Sequence, residues 1–300
     1  MGDISKDRII SIIAAEGMVR GYFTDTTDTI KKAADIHKLS PVAAAALGRT
    51  LTVAALISKT LKNKGDSLTI QIIGDGPLGK ITVAADPLAR VRGYVENPLV
   101  DLRLNDHGKI DVGWAVGRNG RLIVIKDMGI KTPYIGSTQI QTGEIAEDFA
   151  YYYATSEQIP TVIALGILID RDLSVKRAGG YMIQLLPGAG EEIITNLEVN
   201  VNKAGSVTQM LEKSSDLEQI IKTLLSEENP KITDDTQVKY FCGCSRNRMM
   251  KNLFALGEND LNEILRDGEN ITLECHFCSK NYVYKHTELI DKLKLLKKSI

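Results

Sequence analysis

The chain has 300 residues, of which 43% are hydrophobic, a composition typical of a globular protein with a sizeable core and not of a disordered one. Lys and Arg total 37 against 38 Asp and Glu, a balance that gives no strong attraction to nucleic acid or acidic membranes. No apolar run approaches the roughly 18 residues of a membrane helix, and the apolar run at 9–15 lacks the flanks of a signal peptide, so we expect a cytoplasmic protein without a membrane span.

The first part of the chain predicts one strand region and two helices. Residues 4–23 are rich in Ile, Val and aromatic side chains without a helical period, which favours strand. An amphipathic helix is expected from about Ile30 to Leu39. A capping Ser40 followed by Pro41 then begins a nearly all-apolar helix that extends to about Leu61. Such a helix should be buried on most of its faces.

From Ser67 onward, short runs of Val, Ile and Leu between glycines predict a sheet. The pair Asn119-Gly120 suits a tight hairpin turn between the fourth and fifth runs. A helix is expected at 143–158, so residues 1–187 form an α+β core domain. The predicted strands are 68–73, 80–85, 91–95, 112–116, 122–126, 161–169 and 181–186.

Two motifs in this domain have a functional and a structural interpretation. The stretch from Gly74 to Lys80 matches a phosphate-binding G-x-x-x-x-G-K loop, but Ile81 stands where a Mg²⁺-binding hydroxyl is needed and a strand follows, which favours a turn. Glu144 and Asp148 lie four residues apart on a predicted helix. This pair could serve acid/base catalysis, but acidic residues near a helix start more often complement the helix dipole.

Beyond the Pro187-Gly188-Ala189-Gly190 boundary, residues 188–235 predict a helical linker region. Apolar residues recur there at helical spacing on otherwise polar segments, so we expect amphipathic helices whose apolar stripes need a partner surface. These residues are Val207, Met210, Leu211, Leu217, Ile220, Ile221, Leu224 and Leu225.

All four cysteines lie in the last part of the chain, in the pairs Cys242-Gly243-Cys244 and Cys275-His276-Phe277-Cys278. Closely spaced pairs in a chain without an export signal predict thiolates on a metal, and two such pairs complete a tetrahedral Cys₄ site for one Zn²⁺. Such a shell has no open position for water, so the metal would be structural. His276 could in principle replace a thiolate, although four thiolates suffice.

An inert zinc knuckle and a switch both fit this spacing. A C-terminal domain of about 60 residues is near the lower limit for an independent core, whereas a structural Zn²⁺ contributes on the order of 10 to 16 kcal/mol to folding. Basic residues near the pairs, Arg246, Arg248, Lys251 and Lys280, could favour thiolates. If oxidation joins near neighbours, Cys242 with Cys244 and Cys275 with Cys278, the bridges could not replace the metal's cross-link.

The cysteine pattern resembles that of the heat shock protein 33 family of redox-regulated holdase chaperones. The signature of that family is C-x-C, then a spacer near 30 residues, then C-x-x-C. Cys242, Cys244, Cys275 and Cys278 match it. Further similarities are Gly74-Asp75-Gly76-Pro77, Ser156-Glu157-Gln158-Ile159-Pro160, Ala178-Gly179-Gly180, Gln184-Leu185-Leu186-Pro187 and Cys244-Ser245-Arg246.

The resemblance implies an ATP-independent stress-response chaperone that is inactive when reduced and zinc-bound. Oxidant would form disulfides, expel zinc, unfold the C-terminal domain (236–300) and loosen the linker, whose apolar stripes are then the candidate surface for unfolded or partly folded clients. A homodimer of the oxidised form is expected, and no enzyme activity is expected.

The alternative is a zinc module that binds nucleic acid. The basic residues near Cys244 and the Lys-rich tail 292–298 suggest it, whereas the net charge of −1 weighs against it.

Overall fold

A computed structural model describes residues 6–214, 216–256 and 258–297, without the side chains of 258, 259 and 294–297. The chain divides into two compact units, Met1–Phe241 and Cys242–Ile300. Two residues at the start of the predicted strand 4–23 lie outside the described part.

The first unit contains two sheets, in which all pairings but one are antiparallel, and several helices. Its strands are β1 (Arg8–Ala14), β2 (Val19–Asp25), β3 (Ser67–Ile73), β4 (Lys80–Ala85), β5 (Arg90–Val95), β6 (Arg121–Asp127), β7 (Tyr134–Gln139), β8 (Thr161–Ile169), β9 (Val175–Leu185), β10 (Lys231–Gln237) and β11 (Lys239–Tyr240). Its helices are α1 (Thr27–His37), α2 (Pro41–Ser58), α3 (Val112–Val116), α4 (Ala146–Tyr152), α5 (Glu191–Ala204), α6 (Val207–Lys213) and α7 (Leu217–Leu224), with a 3-10 turn at Ala15–Gly17 and a π-helix at Tyr153–Glu157.

The strands form a first sheet in the order β10-β1-β2-β9-β8 and a second in the order β11-β5-β4-β3-β6-β7. All pairings are antiparallel except that of β11 with β5, which is parallel. Helix α2 packs against β8 and β9 of the first sheet and against β3, β4 and β5 of the second. It is therefore the layer between the two sheets, and the α+β class predicted from the sequence is confirmed.

Helix α2 corrects one expectation about membranes. With 18 residues it is long and apolar enough to cross a membrane, contrary to the expectation that no run approaches that length, but 89% of it is buried inside the protein. All of its residues except Pro41 and Arg49 are buried. Packing between two sheets explains its composition, because a helix covered on all sides has no polar face to keep. Ser40 caps its first turn as predicted, accepting a hydrogen bond from the Ala43 N–H at 3.4 Å.

The predicted strand 112–116 is wrong, because these residues form the short helix α3. The Asp111 carboxylate accepts a hydrogen bond from the Trp114 N–H at 2.9 Å and caps this helix, an N-cap that outweighs the strand propensity of two valines. The hairpin predicted at Asn119-Gly120 is therefore wrong as well. Asn119 instead donates its Nδ2–H to Asp75 at 2.7 Å, and β6 pairs with β3 and β7.

The two motifs with open interpretations have structural roles. Strand β4 follows the Gly74 to Lys80 loop, as the turn interpretation requires. Glu144 forms an ion pair with Arg49 at 2.6 Å. Asp148 accepts backbone N–H bonds from Gln141 and Thr142 at 2.8 and 3.0 Å, so its carboxylate organises the loop before α4.

Three strands at sheet edges, β7, β10 and β11, have no counterpart in the sequence prediction. Most of strand β10 lies within the region 188–235 that was expected to be helical, and most of its side chains are exposed. It pairs with β1 at the edge of the first sheet. An exposed edge strand carries no alternating apolar pattern, and for this reason its polar sequence gave no strand signal.

The second unit contains α8 (Arg246–Phe254), α9 (Glu258–Leu265), β12 (Ile271–Glu274), β13 (Asn281–Tyr284) and α10 (His286–Lys297). Strands β12 and β13 form an antiparallel hairpin in which Glu274 pairs with Asn281. The six residues between these partners contain the second cysteine pair.

Candidate metal centre and covered apolar stripes

The four cysteine sulfurs converge in the second unit. Cys242 and Cys244 lie in the loop before α8, and Cys275 and Cys278 lie in the turn between β12 and β13. The Sγ atoms of Cys242 and Cys275 are 3.6 Å apart, and those of Cys244 and Cys278 are 3.4 Å apart. All four Sγ atoms lie within 4.8 Å of one another. The two segments that the sequence separates by 30 residues therefore meet at their thiols.

Backbone hydrogen bonds shape the turn that holds the second pair. The carbonyl of Cys275 accepts N–H bonds from Cys278 at 3.1 Å and from Ser279 at 2.8 Å, while Cys275 donates its own N–H to Lys280 at 3.0 Å. Ser279 has a φ of 52°, in the left-handed region that tight turns use. The turn thus brings two thiols to one side of a short loop.

The sulfur spacing suits a metal ion. Around a tetrahedral Zn²⁺ with Zn–S distances of about 2.3 Å, neighbouring sulfurs lie about 3.8 Å apart, whereas a disulfide joins sulfurs at about 2.05 Å. All four cysteines are free thiols. Their separations are close to the metal-bound value, so the four cysteines are positioned to hold a metal ion. His276 is outside this group of ligand atoms.

Tyr282 of β13 contacts the thiols, and the sequence alone did not indicate this contact. Its hydroxyl lies 3.1 Å from the Cys244 Sγ. Burial alone would raise the pKa of Cys244, but hydrogen bonds from Tyr282 and the neighbouring thiols lower this pKa to about 7. Burial raises the pKa of Cys242 to about 11. The alternation of Tyr282 and Tyr284 on β13 was the signal that could have indicated an inward-facing tyrosine.

The basic residues expected to favour thiolates have other partners in two cases. Arg246 forms an ion pair with Glu288 at 2.6 Å and donates to the Val283 carbonyl at 2.6 Å, and its guanidinium lies over the Tyr284 ring. The Lys280 ammonium lies over the Tyr282 ring. Arg246 therefore joins the start of α8 to β13 and α10.

The core of the second unit is small and includes the metal centre. Cys275 is itself a buried member, and the other three cysteines pack against the cluster. The remaining buried members among the described residues are Met250, Leu253, Leu261, Leu265, Tyr282, Tyr284 and Leu289. A core of this size gives the thiols and whatever they bind a large share of the unit's cohesion.

We define the apolar stripes as eight side chains of α6 and α7, and all eight are buried. They are Val207, Met210 and Leu211 of α6 and Leu217, Ile220, Ile221, Leu224 and Leu225 at α7. They share one cluster with residues of β1, β2 and β9, including Ile10, Phe23 and Ile183. The first sheet is therefore the partner surface that the amphipathic pattern requires. In this state of the protein the stripes are covered.

Glycines in the first sheet let helix α6 approach closely. Gly166 of β8 pairs with Gly179 of β9. A Cβ atom on Gly166 would lie 2.9 Å from Thr208 Cγ2 and 3.0 Å from Val207 Cβ. A Cβ atom on Gly179 would lie 2.9 Å from Leu211 Cδ1. The two glycines form a flat seat for α6, and any side chain at Gly166 would push this helix away.

These features define a class: an α+β protein with a separate small unit built on a four-thiol metal centre. Comparison with known proteins identifies the family. The model of the family described as Hsp33 protein matches residues 7–285. The chain belongs to the heat shock protein 33 family of chaperones.

Named relatives cover almost the whole chain. A 33 kDa chaperonin of Ruminiclostridium cellulolyticum is 47% identical over 288 residues, covering 96% of this chain and 98% of that protein. One of Acetivibrio thermocellus is 43% identical over 291 residues, covering 97% and 98%. The crystal structure of a 33 kDa chaperonin, a heat shock protein 33 homolog of Thermotoga maritima, superposes with a TM-score of 0.89 at 32% identity and covers 98% of this chain and 100% of that one.

These relatives are named chaperonins, and none of them is named as an enzyme or as a nucleic-acid-binding protein. The resemblance on which the family expectation rested is confirmed. The nucleic-acid alternative has no support from the comparisons. Of the Lys-rich tail that suggested it, residue 298 and the side chains from 294 onward lie outside the described part of the chain.

Proposed function

We propose that this chaperone is a holdase that oxidants activate through its thiol cluster. The observation that carries the proposal is the convergence of four reduced thiols within 4.8 Å, inside a unit whose core they help to form. Such a unit loses its central cross-link when the thiols change their partners. We place the protein in the cytoplasm, where a reducing environment keeps thiols of this kind reduced.

The reduced form holds one Zn²⁺ per chain, with Cys242, Cys244, Cys275 and Cys278 as its ligands. Zinc supplies a closed cross-link between the α8 loop and the β12–β13 turn and has no vacant position for catalysis. Tyr282 donates its hydroxyl hydrogen bond to the Cys244 sulfur and fixes its orientation, as outer partners of metal ligands do.

Hypochlorite, or peroxide with mild heat, converts the thiolates to two disulfides. Each disulfide forms one S–S bond with loss of two electrons to the oxidant, and the metal leaves because its ligands no longer carry thiolate charge. We propose the pairings Cys242 with Cys244 and Cys275 with Cys278, which leave the two segments unconnected. The Sγ contacts at 3.6 and 3.4 Å join the opposite pairs, Cys242 to Cys275 and Cys244 to Cys278, and peptide mapping of the oxidised protein distinguishes the two schemes.

The output of the switch is the surface of the apolar stripes. With zinc lost, the second unit unfolds and the helices α6 and α7 loosen from the first sheet, exposing side chains that unfolding clients bind without ATP. The eight residues of the stripes are the candidate client-binding residues. The oxidised chain forms a homodimer, which places two such surfaces in one particle.

A light-scattering assay tests the proposal. Aggregation of a heat-denatured client is followed with reduced, zinc-loaded protein and with oxidised protein side by side. Suppression by the oxidised protein alone, reversed by reductant, supports the switch. Equal suppression by the reduced, zinc-loaded protein contradicts it.

A further inference from the structure

A cavity of about 720 Å³ lies on the first unit where three segments meet. One wall is the end of β1 and the 3-10 turn, residues 13–17. A second wall is the start of α5, and the third is the segment 227–231 that leads from α7 into β10. The thiol cluster has no part in this cavity, and the function proposed above leaves it unused.

The walls of the cavity are acidic. Glu16, Glu192, Glu227 and Glu228 line it, against a single basic residue, Lys231. Within the described ranges of the chain, no ion pair involves any of these four glutamates. The cavity therefore has an excess of negative charge that the protein itself does not neutralise.

Glu228 is the residue that points to a ligand. It is only 5% exposed, and its Oε2 is buried without a hydrogen-bond partner. Its backbone is fixed, since the Glu228 carbonyl accepts a hydrogen bond from the Ala15 N–H at 2.6 Å. A buried carboxylate without a countercharge or donor is costly, so a cationic donor in the cavity would relieve a deficit that the surrounding residues leave.

The arrangement suits an extended cation better than a metal ion. In the described part of the chain, the thiol cluster is the only set of three or more Cys, His or acidic residues whose ligand atoms lie within 4.8 Å. The cavity's carboxylates form no such group. Ile13, Ala14 and Ile193 also line the cavity and offer an apolar surface to a methylene chain.

We propose that this cavity binds an aliphatic ammonium compound. One ammonium group donates to the Glu228 carboxylate, the methylene chain lies along Ile13 and Ile193, and a second positive charge, where present, meets the glutamates at the rim. Two sources share this chemistry: a free di- or polyamine, and a lysine side chain of a bound polypeptide.

Occupancy would stabilise the covered form of the helical layer. The ligand would touch β1, α5 and the segment that connects α7 to β10, so it would hold together parts of the first unit that must separate for the apolar stripes to be exposed. A compound that binds the docked form alone shifts the equilibrium toward it by mass action.

Isothermal titration calorimetry on the full-length, reduced, zinc-loaded chain tests the site. The probes are 1,5-diaminopentane for the free amine and Nα-acetyl-lysine amide for the side chain, with 1,5-pentanediol and the Nε-acetylated lysine derivative as uncharged controls. The variants are Glu228→Gln, the rim variant Glu192→Gln, and Glu198→Gln as a matched control, because Glu198 is an exposed residue of α5 outside the cavity. Far-UV circular dichroism verifies that each variant is folded.

We expect at least one amine probe to bind and the uncharged controls not to bind. Affinity should fall about tenfold in Glu228→Gln, by a smaller factor in Glu192→Gln, and not at all in Glu198→Gln. Binding of the diamine alone, or of the lysine derivative alone, identifies the source. Absence of binding by both amines, or unchanged affinity in both Glu228→Gln and Glu192→Gln, overturns the proposal. Neither result depends on chaperone activity. Failure of this proposal can therefore be distinguished from failure of the proposed function.

Discussion

The two units hold themselves together in different ways. The first has a core in which the buried helix α2 packs between two sheets, and a second apolar cluster under α6 and α7. The core of the second consists of a few apolar side chains gathered around four thiols. The first unit buries a large apolar surface, whereas the second has few apolar side chains and, in the function proposed above, depends on its metal. We therefore expect a change at the sulfurs to unfold the second unit and to leave the core around α2 intact.

Removing one thiol should have the largest effect and separate the units most clearly. Cys275→Ser takes a buried ligand from the site, and because zinc binding contributes on the order of 10 kcal/mol to the folding of such units, we expect the second unit to be unfolded in the variant. Zinc content and the NMR dispersion of residues beyond 242 measure this. His276→Ala is the control and should retain one zinc per chain. A Cys275→Ser variant with full zinc and native dispersion would refute metal dependence.

A large-to-small substitution in the core of the first unit should lower the stability of that unit without affecting zinc binding. Leu56 of α2 is fully buried, so Leu56→Ala should reduce the free energy of unfolding of the first unit by roughly 2 to 5 kcal/mol and leave zinc binding unchanged. Urea denaturation and a zinc assay measure the two quantities. Leu88→Ala is the matched control, since Leu88 is 49% exposed and its loss should change stability by less than about 0.5 kcal/mol. Zinc loss in Leu56→Ala would show that the units are not separable.

A side chain at Gly166 should loosen the helical layer without removing any buried side chain or thiol. Gly166→Val places atoms where Val207 and Thr208 now lie, and overpacking of this kind costs about 1 to 3 kcal/mol. We expect faster amide exchange in α6 and partial suppression of client aggregation by the reduced protein. Gly65→Val is the control, because a Cβ atom at Gly65 has no neighbour within 4 Å. If α6 exchanges no faster in Gly166→Val, the glycine seat does not control its docking.

The smallest effect is expected at the hydroxyl that contacts the thiols. Tyr282→Phe removes the donor 3.1 Å from the Cys244 Sγ, and loss of an outer partner of a metal ligand typically lowers metal affinity by about tenfold or somewhat more. Competition with a chromophoric chelator measures zinc affinity. Tyr151→Phe is the control, since Tyr151 is 41% exposed in the first unit. Unchanged zinc affinity in Tyr282→Phe would mean that the Tyr282 hydroxyl does not contribute to metal binding.

The sequence reveals those features whose signals are local. The apolar run of α2, the cap at Ser40, the spacing of the cysteines and the stripe of α7 can each be recognised within a short window. Strand β10 could not be predicted because its exposed residues have no periodic pattern, and α3 because its cap at Asp111 competes with strand-forming valines. Contacts of Tyr282 with Cys244, and the isolation of the Glu228 carboxylate, depend on tertiary packing between segments distant in the chain.

Amide hydrogen exchange in reduced and oxidised protein tests the central claim most directly, since it follows both regions in one experiment. In the proposed function, the state of the thiols controls whether the apolar stripes are covered. We expect oxidation to abolish protection across 207–225 and throughout the second unit, while α2 retains its protection. Protection of 207–225 that is equal in the two forms, with client binding by the oxidised protein alone, would contradict the account.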